Sequence, residues 1–193
     1  MVFQNLAGIH IVLASKSPRR HALLSEMGLT FTVRTKEVDE SFPPHLPPKE
    51  AVRFIAESKA KAFMHDLTTD ELLIVADTIV SLDNDIIGKP GNVQEAISIL
   101  TRLSGRKHEV HTAVSLVYKG KIESIQEQTD VYFKHLSDSE ITHYVDHYQP
   151  LDKAGAYGIQ EWIGAIGVEK IVGSYTNVMG LPTSLLYSSL SRF

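Results

Sequence analysis

The chain has 193 residues, 43% of them apolar and 22% charged, with a formal net charge of −4 and no cysteine. That length supports one sizeable core or two small lobes sharing a sheet, and the acidic balance argues against a nucleic acid polymer, which needs a broad basic surface. No apolar stretch approaches the ~20 residues that span a bilayer, the opening "MVFQNLAGIHIVLAS" lacks the basic segment of a secretory signal, and the absence of cysteine excludes disulfides and thiolate metal sites and fits a reducing cytoplasm.

The apolar run from Ile9 to Ala14 reads as a buried strand. Ser17 then serves as a helix N-cap, Pro18 takes the first helical position and Gly28 stops the helix. "FTVRTKEV" (31–38) alternates weakly, as a strand does, and "DESFPPHLPPKE" with four prolines is a loop. A helix from Glu50 to His65 follows, and "LLIVADTIVSL" (72–82) is a buried strand turning at "DND". "GKPGN" leads into a third helix, with Asn92 as N-cap and Glu95 three residues on in the pattern of a capping box.

Two long strands, "HEVHTAVSLVY" and "IESIQEQTDVYFKHL", meet at a "KGK" turn. Ser137 and Glu140 cap a helix reaching Tyr148, Pro150 ends it, and the loop "LDKAGAYGIQ" begins. "AIGVEKIVGS" reads as a strand, "YTNVMG" as a turn, and a final helix opens at Pro182. Strands and helices alternate without a break in composition. The expectation is one α/β domain over 1–193, a mixed twisted sheet flanked by helices.

Arg19, Arg20 and His21 occupy the first helical turn, where the macrodipole already concentrates positive charge and each misplaced cation costs about 0.3–1 kcal/mol. A strand, a Ser-rich turn and a helix start form a geometry in which backbone N–H groups face an anion. Guanidinium forks suit a chain of phosphates; alternatively, both arginines point into solvent or pair with acids elsewhere. His21 reads as a surface residue. Lys59 falls inside the apolar stripe of Val52, Ile55, Ala56, Ala62 and Phe63. It either snorkels outward or is directed at phosphate.

Asp77 interrupts an apolar strand, and an uncompensated buried carboxylate costs several kcal/mol. It must be hydrogen-bonded, paired with a cation or holding a metal. Asp39 and Glu40 offer further carboxylate oxygens, and oxygen ligands favour Mg²⁺ or Mn²⁺ over zinc. Lys89 in "GKPGN" is another cation near a strand end. His143 and His147 lack the glutamate of a zinc motif and read as a solvated helix face, as do His108 and His111 beside a strand. No nucleophile elbow, Walker A loop or dinucleotide fingerprint occurs.

"LASKSPRR", "VADTIV", "GKP", "LSG…H…HTAV" and "PLDKAGAYGIQ" followed by "GSYTNVMGLP" stand in an order that resembles the Maf family of nucleotide pyrophosphatases, over nearly the whole chain. The resemblance implies a cytoplasmic α/β homodimer with a central cleft, related in fold to the inosine-triphosphate pyrophosphatases. It implies metal-dependent cleavage of a nucleoside triphosphate to monophosphate and pyrophosphate. By motif it makes Asp77 the proton acceptor and puts Ser15, Arg20, Glu40, Lys59 and Lys89 in the catalytic cleft, with Asp77 and Glu40 as metal ligands. Arg19, Thr78 and Gln160 match positions associated with base selectivity, while Lys153, Tyr157 and Asn177 shape the site. "DKAGAYGIQ" looks like the branch acting on dTTP and UTP, although Glu161-Trp162 and Thr183 depart from the usual pattern. A rival of another class is a nucleotide-binding regulator of septum formation without catalysis; Asp77 argues against it, since a pure binder has no need of that carboxylate.

Overall fold

The computed structural model describes residues 3–193. Strands β1 (His10–Leu13), β2 (Phe31–Val33), β3 (Glu71–Leu82), β4 (Asp85–Ile87), β5 (Lys107–Tyr118), β6 (Lys121–Phe133) and β7 (Val168–Val172) form one seven-stranded sheet. Its order is β2-β1-β3-β5-β6-β7, with β4 on β3. β1 runs parallel to β2 and β3, whereas β3, β5, β6 and β7 are antiparallel, so the sheet is mixed as expected.

Helices cover both faces. α2 (Pro48–Phe63) presents Ala51, Val52, Ile55, Ala56, Ala60 and Phe63 to one face, against Leu73, Val75 and Ile79 of β3. The alternate β3 residues, Leu72, Ile74, Ala76 and Val80, enter the larger core with α1 (Pro18–Glu26), α3 (Val93–Leu103) and α4 (Asp138–Tyr148). The period of two therefore decides which chemistry meets which helix.

The caps follow the chain's local chemistry. Ser17 accepts from Arg20 N and Pro18 opens α1, while Gly28 has φ +80°, which suits a stop after the helix. Ser137 and Glu140 form a reciprocal capping box on α4. At α3, Asn92 accepts from Glu95 N, but the Glu95 carboxylate turns to Gly91 N at 2.8 Å, so the box is not reciprocal at Asn92. Asp83 and Asn84, and Lys119 and Gly120, have paired positive φ values that turn the β3–β4 and β5–β6 hairpins.

Several expectations need correction. β2 ends at Val33 because β1 ends at Leu13 and offers no later partner. α2 spans Pro48–Phe63 rather than Glu50 to His65. "WIGAIG" is helix α5 (Trp162–Gly167), and only Val168–Val172 of the expected strand is extended. An apolar run this short carries no decisive period. "YTNV" is a short helix, α6 (Tyr175–Val178), before α7 (Thr183–Leu190). His108 and His111 are buried within β5 rather than solvated, being 1% and 4% exposed.

Candidate active site

The sheet has a gap, and the site lies in it. β1 accompanies β3 only as far as Ile74, and β4 joins the same edge from Val80 onward. Between them, among the described residues, the β3 edge from Val75 to Ile79 has no strand partner on that side. A cleft of about 510 Å³ opens there, lined by residues of both sheet faces.

On the α2 face, Asp77 shares the parity of Val75 and Ile79 and so meets Lys59. Lys59 Nζ donates to Asp77 Oδ1 at 2.6 Å and pairs with Glu40 Oε1 at 2.7 Å. The lysine neither snorkels nor waits free; it is the link between the two carboxylates. Burial works against ionisation of Glu40, yet the Lys59 hydrogen bond and charge, with Lys89 and Arg20 behind, hold it below the usual carboxylate range. Lys89 acts on Glu40 from the same charged side, and Lys16 and Arg19 also line the cleft.

On the other face, Thr78 and Val80 stand opposite Thr112 and Val110 of β5. Val80, Val110, Tyr157, Ile159 and Met179 give this side of the cleft most of its apolar surface, alongside the polar Thr78 and Arg20. Arg20 crosses the gap. Its Nη1 donates to Ala76 O at 2.7 Å, satisfying a carbonyl on the open strand edge. Nε donates to Gly180 O at 2.8 Å and Nη2 to Thr78 Oγ1 at 3.0 Å. Burial lowers the Arg20 pKa from its ordinary value, with Asp77 opposing that fall. Three of the five guanidinium N–H donors are thus used inside the protein, which leaves one on each terminal nitrogen. Arg19 approaches Asp152 at 4.0 Å. The basic helix start therefore has partners of its own, and Arg20 keeps only one N–H on each outer nitrogen for a phosphate.

The loop 152–161 closes the cleft. Lys153 is buried and pairs with Asp152 at 2.7 Å and Glu161 at 3.2 Å. Tyr144 of α4 donates its hydroxyl to Glu161 and accepts from Gly158 N at 3.0 Å. Tyr157 meets His108 Nε2 at 2.8 Å through its hydroxyl. Burial pushes His108 down to about 3 and raises Tyr157, so both are neutral near pH 7.

Ser15, Arg19, Arg20, Glu40, Lys59, Asp77, Thr78, Lys89, Lys153 and Tyr157 all line the cleft. Gln160 is exposed and stands outside that lining, next to Ile159, which belongs to it. Asn177 is buried behind the wall, donating to Val110 O and Thr129 Oγ1. Ser15 Oγ accepts from Ser17 N at 3.1 Å, shaping the turn before α1. His143 and His147 are exposed, with His147 Nδ1 2.7 Å from His143 O. Sequence reading missed Tyr144, Thr112 and Glu161 as supports of the wall; Tyr144 and Thr112 lay hidden in apolar patterns, and only the Glu161 departure hinted at a role.

A gapped α/β sheet with two carboxylates, a linking lysine and a cationic rim defines a site for a polyanionic substrate beside acid–base groups. The chain belongs to the Maf family: residues 10–193 match the family described as Maf-like protein. Similar proteins named dTTP/UTP pyrophosphatase include one from Flavobacterium psychrophilum, 47% identical over 97% of this chain and 96% of the relative. Others come from Bacteroides fragilis, 49% identical over 97% and 98%, and Parabacteroides distasonis, 48% identical over the full length of both. A solved HAM1 protein from Coxiella burnetii shares the fold with a TM-score of 0.52, at 16% identity over 96% of this chain and 100% of that one.

Proposed function

We infer that this chain hydrolyses dTTP and UTP to the nucleoside monophosphate and pyrophosphate. One observation carries the reading: Lys59 holds Asp77 and Glu40 together in a cleft whose halves are charged and apolar. The triphosphate takes the charged half and the base the apolar half. Relatives of 44–49% identity named dTTP/UTP pyrophosphatase support the same substrates.

Asp77 and Glu40 fit a divalent cation by donor chemistry. Mg²⁺ and Mn²⁺ take hard oxygens, and Mg²⁺ is commonly bound through one or two carboxylates plus phosphate oxygens and water. Among the described residues no group of three or more His, Asp or Glu is placed to hold a metal ion by itself. Such an ion, when bound, supplies charge neutralisation and polarises the phosphate.

Lys59 engages Asp77 Oδ1, so Oδ2 is left to orient a water and accept its proton as oxygen attacks the α-phosphorus. The bond to the bridging oxygen breaks and pyrophosphate leaves with the electron pair. Lys59, Lys89 and the remaining N–H groups of Arg20 offset the charge that grows on it. Lys153 and Tyr157 position the nucleoside, and Ser15 keeps the phosphate-facing turn in shape. Gln160 and Arg19 tune the base from the mouth of the cleft. The chain acts as one unit, supported by the continuous sheet, as a cytoplasmic homodimer, with no nucleic acid polymer or membrane as partner.

The test is release of pyrophosphate from dTTP, UTP, CTP and other triphosphates, with and without Mg²⁺ or Mn²⁺. Metal-dependent release fastest with dTTP and UTP is expected. Tight nucleotide binding without turnover would replace the enzyme by a regulator, and release of orthophosphate would place the cut elsewhere.

A further inference from the structure

A chain of hydrogen bonds leads from the cleft into the protein, and its proton order is fully determined. Arg20 Nη2 donates to Thr78 Oγ1 at 3.0 Å; Thr78 Oγ1 lies 3.0 Å from Thr112 Oγ1; Thr112 Oγ1 donates to the backbone carbonyl of Asn177 at 3.0 Å. A guanidinium can only donate and a carbonyl can only accept. Thr112 has a single hydroxyl proton, and the carbonyl takes it. The middle bond must then run from Thr78 to Thr112. Asn177 O also accepts from Gly180 N at 2.9 Å, so both its lone pairs are used and the end of the chain is pinned.

One consequence reaches the cleft. Thr78 Oγ1 gives its only proton inward and one lone pair to Arg20, which leaves one lone pair. A hydroxyl ordinarily offers either role by rotating; this one faces a ligand as an acceptor only. It stands on the strand face that carries Val80 and Val110, in the apolar half of the cleft, where a base sits on the reading above.

We propose that Thr112 is a positioning residue for base selection: by drawing the Thr78 proton inward it makes Thr78 an obligate acceptor, matched to a ring N–H donor such as N3–H of uracil or thymine. Cytosine presents a bare N3 lone pair at the same point. Two lone pairs then face each other, and neither hydroxyl can turn to relieve them. The inference rests on the nucleotide reading above and deepens it. Thr112 touches no ligand, because it is fully buried behind Thr78.

The experiment measures kcat/KM for UTP, CTP and the triphosphate of pyrimidin-2-one riboside, whose N3 is bare and which has no group at position 4. Wild-type protein is expected to favour UTP over both. Thr112→Val keeps the shape and removes the inward acceptor, so the Thr78 proton becomes free to turn outward. CTP and the pyrimidin-2-one nucleotide should then gain, and each UTP preference should shrink by about fivefold to tenfold, the worth of one neutral hydrogen bond. Thr112→Ser restores the hydroxyl and should restore the preference. Simple structural damage would lower every substrate together.

Unchanged ratios in Thr112→Val overturn the proposal, as does a Thr112→Ser that behaves like the valine. The pyrimidin-2-one nucleotide tests it without any variant: wild-type turnover equal to that of UTP overturns it while pyrophosphatase activity stands. A wild-type protein that turns over neither UTP nor dTTP removes the nucleotide reading and this inference with it.

Discussion

Lys59 Nζ lies 2.6 Å from Asp77 Oδ1 although α2 and β3 are separate elements, and the same ammonium reaches Glu40 Oε1 at 2.7 Å. The lysine is mostly buried and Asp77 is 9% exposed. Two carboxylates converging this closely repel unless a cation lies between them, and Lys59 meets that need from the apolar stripe of its own helix. The same arrangement leaves an acid beside a cleft open to substrate.

Asp77→Asn keeps the side-chain volume and removes the charge. Turnover should fall by about 10²–10⁴-fold, the usual contribution of a positioned proton acceptor. Glu40 still pairs with Lys59, so the fold should survive, with a thermal midpoint within a few degrees of wild type by circular dichroism. Near-normal pyrophosphate release in this variant would remove Asp77 from the chemistry.

Lys59→Met retains most of the stem and leaves Asp77 and Glu40 without their cation. Turnover should drop, and the Glu40 titration should move up toward its ordinary value, which NMR of the carboxyl carbon can follow. The sign for stability follows from the depressed wild-type pKa. Glu40 contributes above its unfolded value of 4.5, and that contribution is lost as pH falls through the lower folded value. Lys59→Met should therefore show less acid sensitivity between neutral pH and pH below 4.5 than wild type does. An identical acid profile would show that the pair has no influence on Glu40.

Tyr144→Phe removes one hydroxyl that donates to Glu161 and accepts from Gly158 N. Gly158 N then loses its buried partner, which costs about 1–3 kcal/mol. Because Gly158 and Lys153 line the cleft, KM should rise more than kcat falls. Urea denaturation reads the first effect and steady-state kinetics the second. A loss of stability with unchanged KM would confine Tyr144 to the core.

His108 is buried and titrates at about 3 against an ordinary value of 6.5. Between those values the unfolded chain holds a proton that the folded one does not, so stability falls as pH decreases by about 1.4 kcal/mol per unit from this group alone. His108→Gln keeps a hydrogen-bonding group for Tyr157 and removes the titration. Its urea midpoint should decline less steeply from pH 6.5 downward than that of wild type; matching slopes would show that His108 is not held neutral.

Much of the chain is legible before folding, for identifiable reasons. Ser17-Pro18, Gly28 and the Ser137–Glu140 pair act through bonds within a few residues, so α1 and α4 stand where local chemistry puts them. The long apolar run of β3 and the Lys119-Gly120 turn are equally local. α5 was not legible: Trp162–Gly167 is too short and too evenly apolar for its period to tell helix from strand. The three-residue β4 went unseen behind its turn. His108 and His111 looked like flanking surface residues because their burial depends on Tyr157, Phe133 and α2 packing onto β5 from elsewhere in the chain.

The site divides in the same way. Asp77 in an apolar strand, Lys59 in an apolar stripe and two arginines at a helix start each announced an uncompensated charge, and that much the amino-acid order determined by itself. Only the tertiary structure decided which charge answers which. Strand parity turns Asp77 toward α2 and Thr78 toward α6. The early end of β1 leaves the Ala76 carbonyl for Arg20, and loop 152–161 brings Glu161 to Lys153. Local bonds reach a few residues along the chain, whereas partners across a sheet are set by register and packing, which no single segment contains.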